Sequence, residues 1–75
     1  MQSTESARIA FIGGGNMARA LIAGLLRRGV APDRIRVGEP SEATRAGLQR
    51  DVGVAVESDN GAAIAGADLV VLAVK

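Results

Sequence analysis

The sequence predicts an α/β fold built on a parallel sheet, and three observations carry that prediction. Four short apolar runs alternate with three segments of helical spacing. A run of three glycines, Gly13-Gly14-Gly15, stands directly between the first apolar run and the first helix. Hydrophobic residues make up 48% of the chain with a single aromatic, Phe11. Small and branched aliphatics therefore do the packing, which suits strands covered by helices on both faces. At 75 residues the chain makes one small domain, and a domain of that size buries only ~60% of its surface on folding.

The elements follow in order. Ile9-Ala10-Phe11-Ile12 is an uninterrupted apolar run and reads as strand 1, buried on both faces. A helix with apolar residues at helical spacing follows the glycines. Arg27-Arg28-Gly29 ends it, with cations in the last turn and a glycine stop. Residues 30–33 form a loop, because Pro32 forbids helix continuation. Arg34 to Gly38 alternates polar and apolar residues as strand 2. Pro40 closes it, Ser41 caps the next helix, and Glu42 stands in the first turn. That helix runs to about Arg50, and Ala43, Ala46, Gly47 and Leu48 give it a thin apolar face. Val52 to Val56 is strand 3. Asn60 to Gly66 is a short helix weakened by its glycines. Leu69 to Val74 is the most apolar run and reads as strand 4, buried on both faces. The alternation is βαβαβαβ. Right-handed crossovers then give a sheet of order 3-2-1-4, with a ligand site at the carboxyl ends of strands 1 and 4.

Gly13, Gly15 and Ala18 match the form G-x-G-x-x-G/A, in the strand–turn–helix setting that the phosphate-binding turn of a dinucleotide site requires. Gly13 turns the chain out of the strand. Gly15 lets a pyrophosphate approach the backbone, and Ala18 lets the helix lie close to strand 1. Free N–H groups near Asn16 and Met17 face the anion, aided by the helix dipole. The fold class is thus Rossmann-type, the amino-terminal part of a larger doubly wound domain. The dinucleotide-binding unit covers residues 8–75, and Met1 to Ala7 form a flexible tail.

Composition excludes several functions. The chain has no Cys and no His, so a Cys/His zinc site, a thiol nucleophile and a Ser-His-Asp triad are ruled out within it. It has no Tyr or Trp, and Phe11 lies in a predicted buried strand, so a base-stacking platform is missing. The net charge of +1, with signs interspersed, leaves no basic stripe for nucleic acid. No G-x-x-x-x-G-K-[ST] run marks a P-loop, and no apolar run reaches the ~18 residues of a membrane span. The absence of cysteine fits a cytoplasmic protein.

At the adenosine end of the site the cues conflict. A carboxylate at the end of strand 2 bonds the ribose 2′-OH of NAD and repels the 2′-phosphate of NADP. Glu39 holds that place, further from Gly13 than the usual ~20 residues because of the loop at 30–33. The alternative is a Glu39 turned to solvent beside Arg36 or Arg45. Ser41 and Arg45 have the chemistry to hold a 2′-phosphate, although Arg45 also suits a solvated helix face. Asn60 either caps the third helix or reaches the adenosine ribose. Lys75 follows strand 4 at the rim.

The blocks FIGGGNMARALIAGLL and ADLVVLAVK, at this spacing, resemble the amino-terminal domain of the bacterial pyrroline-5-carboxylate reductases, over residues 8–75. The resemblance implies reduction of 1-pyrroline-5-carboxylate to L-proline by NADPH or NADH, the last step of proline biosynthesis. It implies that residues Gly13 to Ala18, Gly14 included, hold the pyrophosphate. Asn60 would approach the adenosine ribose, and Ala73, Val74 and Lys75 would line the path to the nicotinamide. The family's substrate and dimerisation domain is expected beyond Lys75, so no catalytic residue is assigned. The full-length protein is expected to be a cytoplasmic homo-oligomer. NADP-preferring members often carry a small hydroxyl or amide residue where this chain has Glu39, yet the family's common use inclines the expectation to NADP. A related hydroxyacid or F420-type NADP-dependent oxidoreductase, and a non-catalytic NAD-binding regulatory module, are the competing readings.

Overall fold

A computed structural model describes residues 7–74. Most of the tail expected at 1–7, and Lys75, lie outside the described residues. Strand β1 (Ile9–Ile12) leads through the glycine turn into helix α1 (Asn16–Arg27). A single 3₁₀ turn, Pro32–Arg34, then feeds strand β2 (Ile35–Gly38). Helix α2 (Glu42–Val52), strand β3 (Ala55–Glu57), helix α3 (Asn60–Ile64) and strand β4 (Leu69–Leu72) complete the βαβαβαβ order. All strand pairs are parallel and the sheet order is β3-β2-β1-β4, as the alternation requires. Central β1 pairs Ile12 with Gly38 on one side and with Leu72 on the other, so three strand ends are level where the turn begins.

Side-chain alternation along the strands decides the core. Phe11, Ile35 and Val37 are buried with Ala18 and Ile22 of α1 and Leu48 of α2 in one cluster. Ala10, one residue along β1, is buried outside that cluster, and so is Ala63 of α3. Helix α3 packs on β1 and β2. Helices α1 and α2 are joined at their polar edge by Arg19 Nη1 and Asp51 Oδ2 at 2.8 Å, with both side chains more than a third exposed. Such a pair contributes ~0–1 kcal/mol.

Four expectations change. Strand β4 is not buried on both faces: Leu69, Val70 and Leu72 are 54%, 43% and 72% exposed. It is an edge strand with β1 as its one partner among the described residues, and the third helix stacks on β1 and β2 instead. Leu72→Lys is therefore expected to change stability by no more than ~0.5 kcal/mol. A urea melt checks this, and a loss of several kcal/mol would show Leu72 to be packed. The second change is at Val52, Gly53 and Val54, which are not strand. Val52 ends α2, and Gly53 adopts the left-handed conformation (φ 68°) and donates its N–H to the Gln49 carbonyl at 3.1 Å. A glycine in that conformation is a common helix stop, so β3 keeps Ala55 and Val56 of the expected run and adds Glu57. Third, Arg34 belongs to the 3₁₀ turn that Pro32 initiates, so β2 starts at Ile35. Fourth, α3 stops at Ile64, because Ala65 already has extended ψ. No described helix is long and apolar enough to cross a membrane.

Candidate functional site

The site starts from the geometry of Gly13. Its φ of 100° is one that residues with a Cβ rarely adopt, and a Cβ there would meet the Ala73 carbonyl oxygen and Val74 Cγ1 at 3.0 Å. Its N–H donates to the Gly38 carbonyl at 2.8 Å. Glycine thus lets the chain leave β1 while staying against the end of β4. Gly14 is buried, and a Cβ would stand 2.5 Å from Leu48 Cδ1 and 3.2 Å from Glu39 Cβ. At Gly15 the opposite holds: an added Cβ finds no atom within 4 Å.

That open space lies at the amino end of α1. No side chain caps this helix. The N–H groups of Asn16, Met17 and Ala18 find no acceptor among the described residues. Ala18 is fully buried and Met17 is exposed, so the helix seats itself through the alanine and presents its first turn outward. A helix start with free N–H groups and no Cβ in front of it is the arrangement that a phosphate needs.

The space continues as an open groove of about 590 Å³ along the carboxyl ends of the strands. One wall is the turn, Gly13 to Met17; the other is Glu39, Pro40 and Asn60; Ile12, Ala73 and Val74 close the β1–β4 end. The volume is in the range of small-molecule and cofactor sites. The sequence-predicted residues Gly13, Gly14, Gly15, Asn16, Met17, Glu39, Asn60, Ala73 and Val74 are brought together here. Ala18, Ser41 and Arg45 are not among the lining residues.

The Glu39 carboxylate is turned neither to solvent nor toward an arginine. Oε1 accepts the Gly14 N–H at 2.8 Å and Oε2 accepts the Ser41 N–H at 2.9 Å. Arg36 instead donates to the Ala62 carbonyl at 3.2 Å. Arg45 is half-buried rather than on a solvated face. Its Nη1 donates to the carbonyls of Glu39 (2.8 Å) and Pro40 (2.9 Å), which ties down the β2–α2 turn. Ser41 caps α2 as expected, its hydroxyl accepting the Thr44 N–H at 3.3 Å. Asn60 is not a cap: Asp59 takes that role, accepting the Ala62 N–H at 2.9 Å. Asn60 is left free to line the groove.

Gly38 was not singled out from the sequence. A Cβ there would stand 2.5 Å from Asn60 Oδ1 and 3.0 Å from Ala63 Cβ, so its bareness is what lets α3 close up under the end of β2. Its only sequence signal is a glycine ending a strand of alternating polar and apolar residues. No group of acidic side chains suited to a metal occurs among the described residues.

The residues present fit a nucleotide pyrophosphate: a helix start with free donors, a Cβ-free approach, and polar groups at the far end of the groove. Comparison with known proteins points the same way. The family model described as NADP oxidoreductase coenzyme F420-dependent matches residues 8–75. A pyrroline-5-carboxylate reductase of Vibrio alginolyticus is 48% identical over 71 residues, covering 95% of this chain and 26% of that protein. That of Pseudomonas aeruginosa is 47% identical over 68 residues, covering 91% of this chain and 25% of that protein. A solved structure of a pyrroline-5-carboxylate reductase from Coxiella burnetii superposes with a TM-score of 0.87 at 42% identity. It covers 92% of this chain and 26% of that one. The chain spans about a quarter of the length of the curated relatives it matches.

Proposed function

The chain belongs to the family described as NADP oxidoreductase coenzyme F420-dependent, and on that premise we propose that it forms the dinucleotide-binding part of a pyrroline-5-carboxylate reductase. The observation that carries the binding site is the Cβ-free approach at Gly15, beside the N–H groups opening α1 that have no acceptor among the described residues. The shared name of the relatives favours this reductase over a hydroxyacid or F420-type enzyme and over a regulatory module. When bound, a reduced nicotinamide dinucleotide supplies the hydride that turns the C=N bond of 1-pyrroline-5-carboxylate into the C–N bond of L-proline.

The residues of this chain bind and orient. Gly15, Asn16 and Met17 receive the pyrophosphate on backbone N–H groups. Gly13, Ala73 and Val74 shape the end toward the nicotinamide. Glu39 and Asn60 face the adenosine ribose. The resemblance extends the reading to a cytoplasmic, homo-oligomeric full-length protein that engages neither nucleic acid nor membrane.

For the choice of cofactor, two observations support NADH over NADPH. The Glu39 carboxylate is held in the groove wall by two N–H groups, where it opposes a 2′-phosphate. Arg45 has Nη1 engaged by two carbonyls, which keeps it at the turn. A titration reading nicotinamide fluorescence tests both parts, because the chain has no Trp or Tyr. Saturable binding is expected, tighter for NADH. Glu39→Ser is expected to raise the NADPH/NADH affinity ratio about tenfold, ~1.4 kcal/mol. Failure of both dinucleotides to bind a chain that is folded by circular dichroism would overturn the site, and an unchanged ratio would remove Glu39 from cofactor choice.

A further inference from the structure

We infer that Glu39 is also a positioning residue: its carboxylate is an internal anion that holds the glycine turn in its ligand-receiving shape before any ligand arrives. The inference rests on the reading of the groove as a dinucleotide site.

The hydrogen bonds divide the turn in two. Gly13 and Gly14 direct their N–H groups inward, to the Gly38 carbonyl and to Glu39 Oε1, each at 2.8 Å. Asn16 and Met17 direct theirs to no protein group among the described residues. The first half is therefore anchored and the second half is presented. The anchor is well braced. The Glu39 N–H donates to the Glu57 carbonyl of β3 at 2.8 Å. Its own carbonyl accepts from Arg45 of α2. Its second carboxylate oxygen accepts from Ser41, the N-cap of α2. One residue thus connects the β1–α1 turn, the ends of β2 and β3, and the start of α2. Its two oxygens each hold a backbone donor, and no Lys or Arg lies within ion-pair distance of them among the described residues.

Packing sets the distance. Gly14 sits so close to Leu48 and Glu39 that no side chain fits, which lets the carboxylate reach the backbone N–H itself. Charge-assisted bonds from a carboxylate to backbone N–H groups are about twice as strong as neutral ones. Losing them frees the turn to sample other shapes, and ligand affinity falls with the fraction that remains competent.

The role is separable from contact with the adenosine ribose. Reduced nicotinamide mononucleotide has no adenosine, so a ribose contact at Glu39 cannot influence it, whereas the shape of the turn does. Glu39→Gln keeps the size of the side chain but replaces one acceptor by an NH₂ donor facing an N–H. In the 75-residue chain, Glu39→Gln is expected to weaken the mononucleotide on the order of tenfold and NADH by at least that factor, because NADH also loses the ribose contact. Glu39→Ala should weaken both further. Amide NMR gives a ligand-free readout: the Gly14 and Ser41 signals should shift and exchange faster in Glu39→Gln, while that of Phe11 in β1 stays in place. A mononucleotide affinity unchanged by Glu39→Gln while NADH weakens would overturn the inference and leave a ribose contact alone. An unmoved Gly14 amide would overturn it independently of any ligand. If the folded wild-type chain binds neither compound, the dinucleotide reading itself fails, while the amide measurement still decides whether the tie exists.

Discussion

Gly15→Val is expected to leave the fold intact and to weaken NADH and NADPH alike by at least about 100-fold, some 2.7 kcal/mol. The site tolerates the side chain structurally. Gly15 has extended backbone (φ −77°, ψ −160°) open to valine, and a Cβ there meets nothing within 4 Å. The cost to folding is that of a poorer N-cap residue, about 1 kcal/mol or less. The cost to binding is large because, in the proposed site, this space is where a pyrophosphate would come closest to the backbone at the start of α1. Isopropyl methyls in that space push the phosphates away from the N–H groups of Asn16 and Met17. Gly14→Ala is the informative contrast. Its methyl would be driven into Leu48 and Glu39, so it should lose stability and binding together. Equal cofactor affinity in wild type and Gly15→Val, by fluorescence titration with circular dichroism as a fold check, would falsify the phosphate role of this turn.

Phe11→Ala is expected to cost about 3–5 kcal/mol of folding stability. The ring is 1% exposed and lies at the centre of the cluster formed by Ala18, Ile22, Ile35, Val37 and Leu48. A chain this size has about 4–11 kcal/mol in total at ~0.05–0.15 kcal/mol per residue, so the variant should be close to unfolded. The midpoint of a thermal melt should drop by more than about 10 °C, at ~4–8 °C per kcal/mol. Leu69→Ala is the control on the exposed edge strand, 54% accessible, and should shift the midpoint by only a few degrees. Equal shifts would mean that β4 is as well packed as β1.

The alternation of four apolar runs with helical segments was enough to derive the parallel order β3-β2-β1-β4. The glycine turn was legible because its chemistry is local: a positive φ at Gly13 and a bare Gly15 follow from residue type and from the strand and helix on either side. Ser41 as the cap of α2 was legible for the same reason, since a cap bonds within its own turn. Asn60 was not, because two adjacent residues, Asp59 and Asn60, both have cap chemistry and the start of the helix decides between them. The extent of α2 was misjudged at Val52-Gly53, where a valine–glycine pair suits a strand as well as a helix end.

Contacts distant in sequence were closed to such reading. Glu39 was recognised by its place at the end of β2, but its partner Gly14 lies 25 residues away, and only the packed sheet sets the two side by side. Gly38 looked unremarkable until α3 was seen to close against it. The exposure of β4 likewise depends on where the third helix stacks, which hydrophobicity does not encode. By itself, the sequence of this protein determined the order of the elements, their parallel arrangement and the glycine turn between β1 and α1, because period, propensity and glycine stereochemistry act over a few neighbouring residues. Only the tertiary structure decided which N–H groups of that turn are anchored, Gly14 on Glu39 and Gly13 on Gly38, and which have no acceptor among the described residues, because those bonds join strands and turns that meet only once the chain has folded.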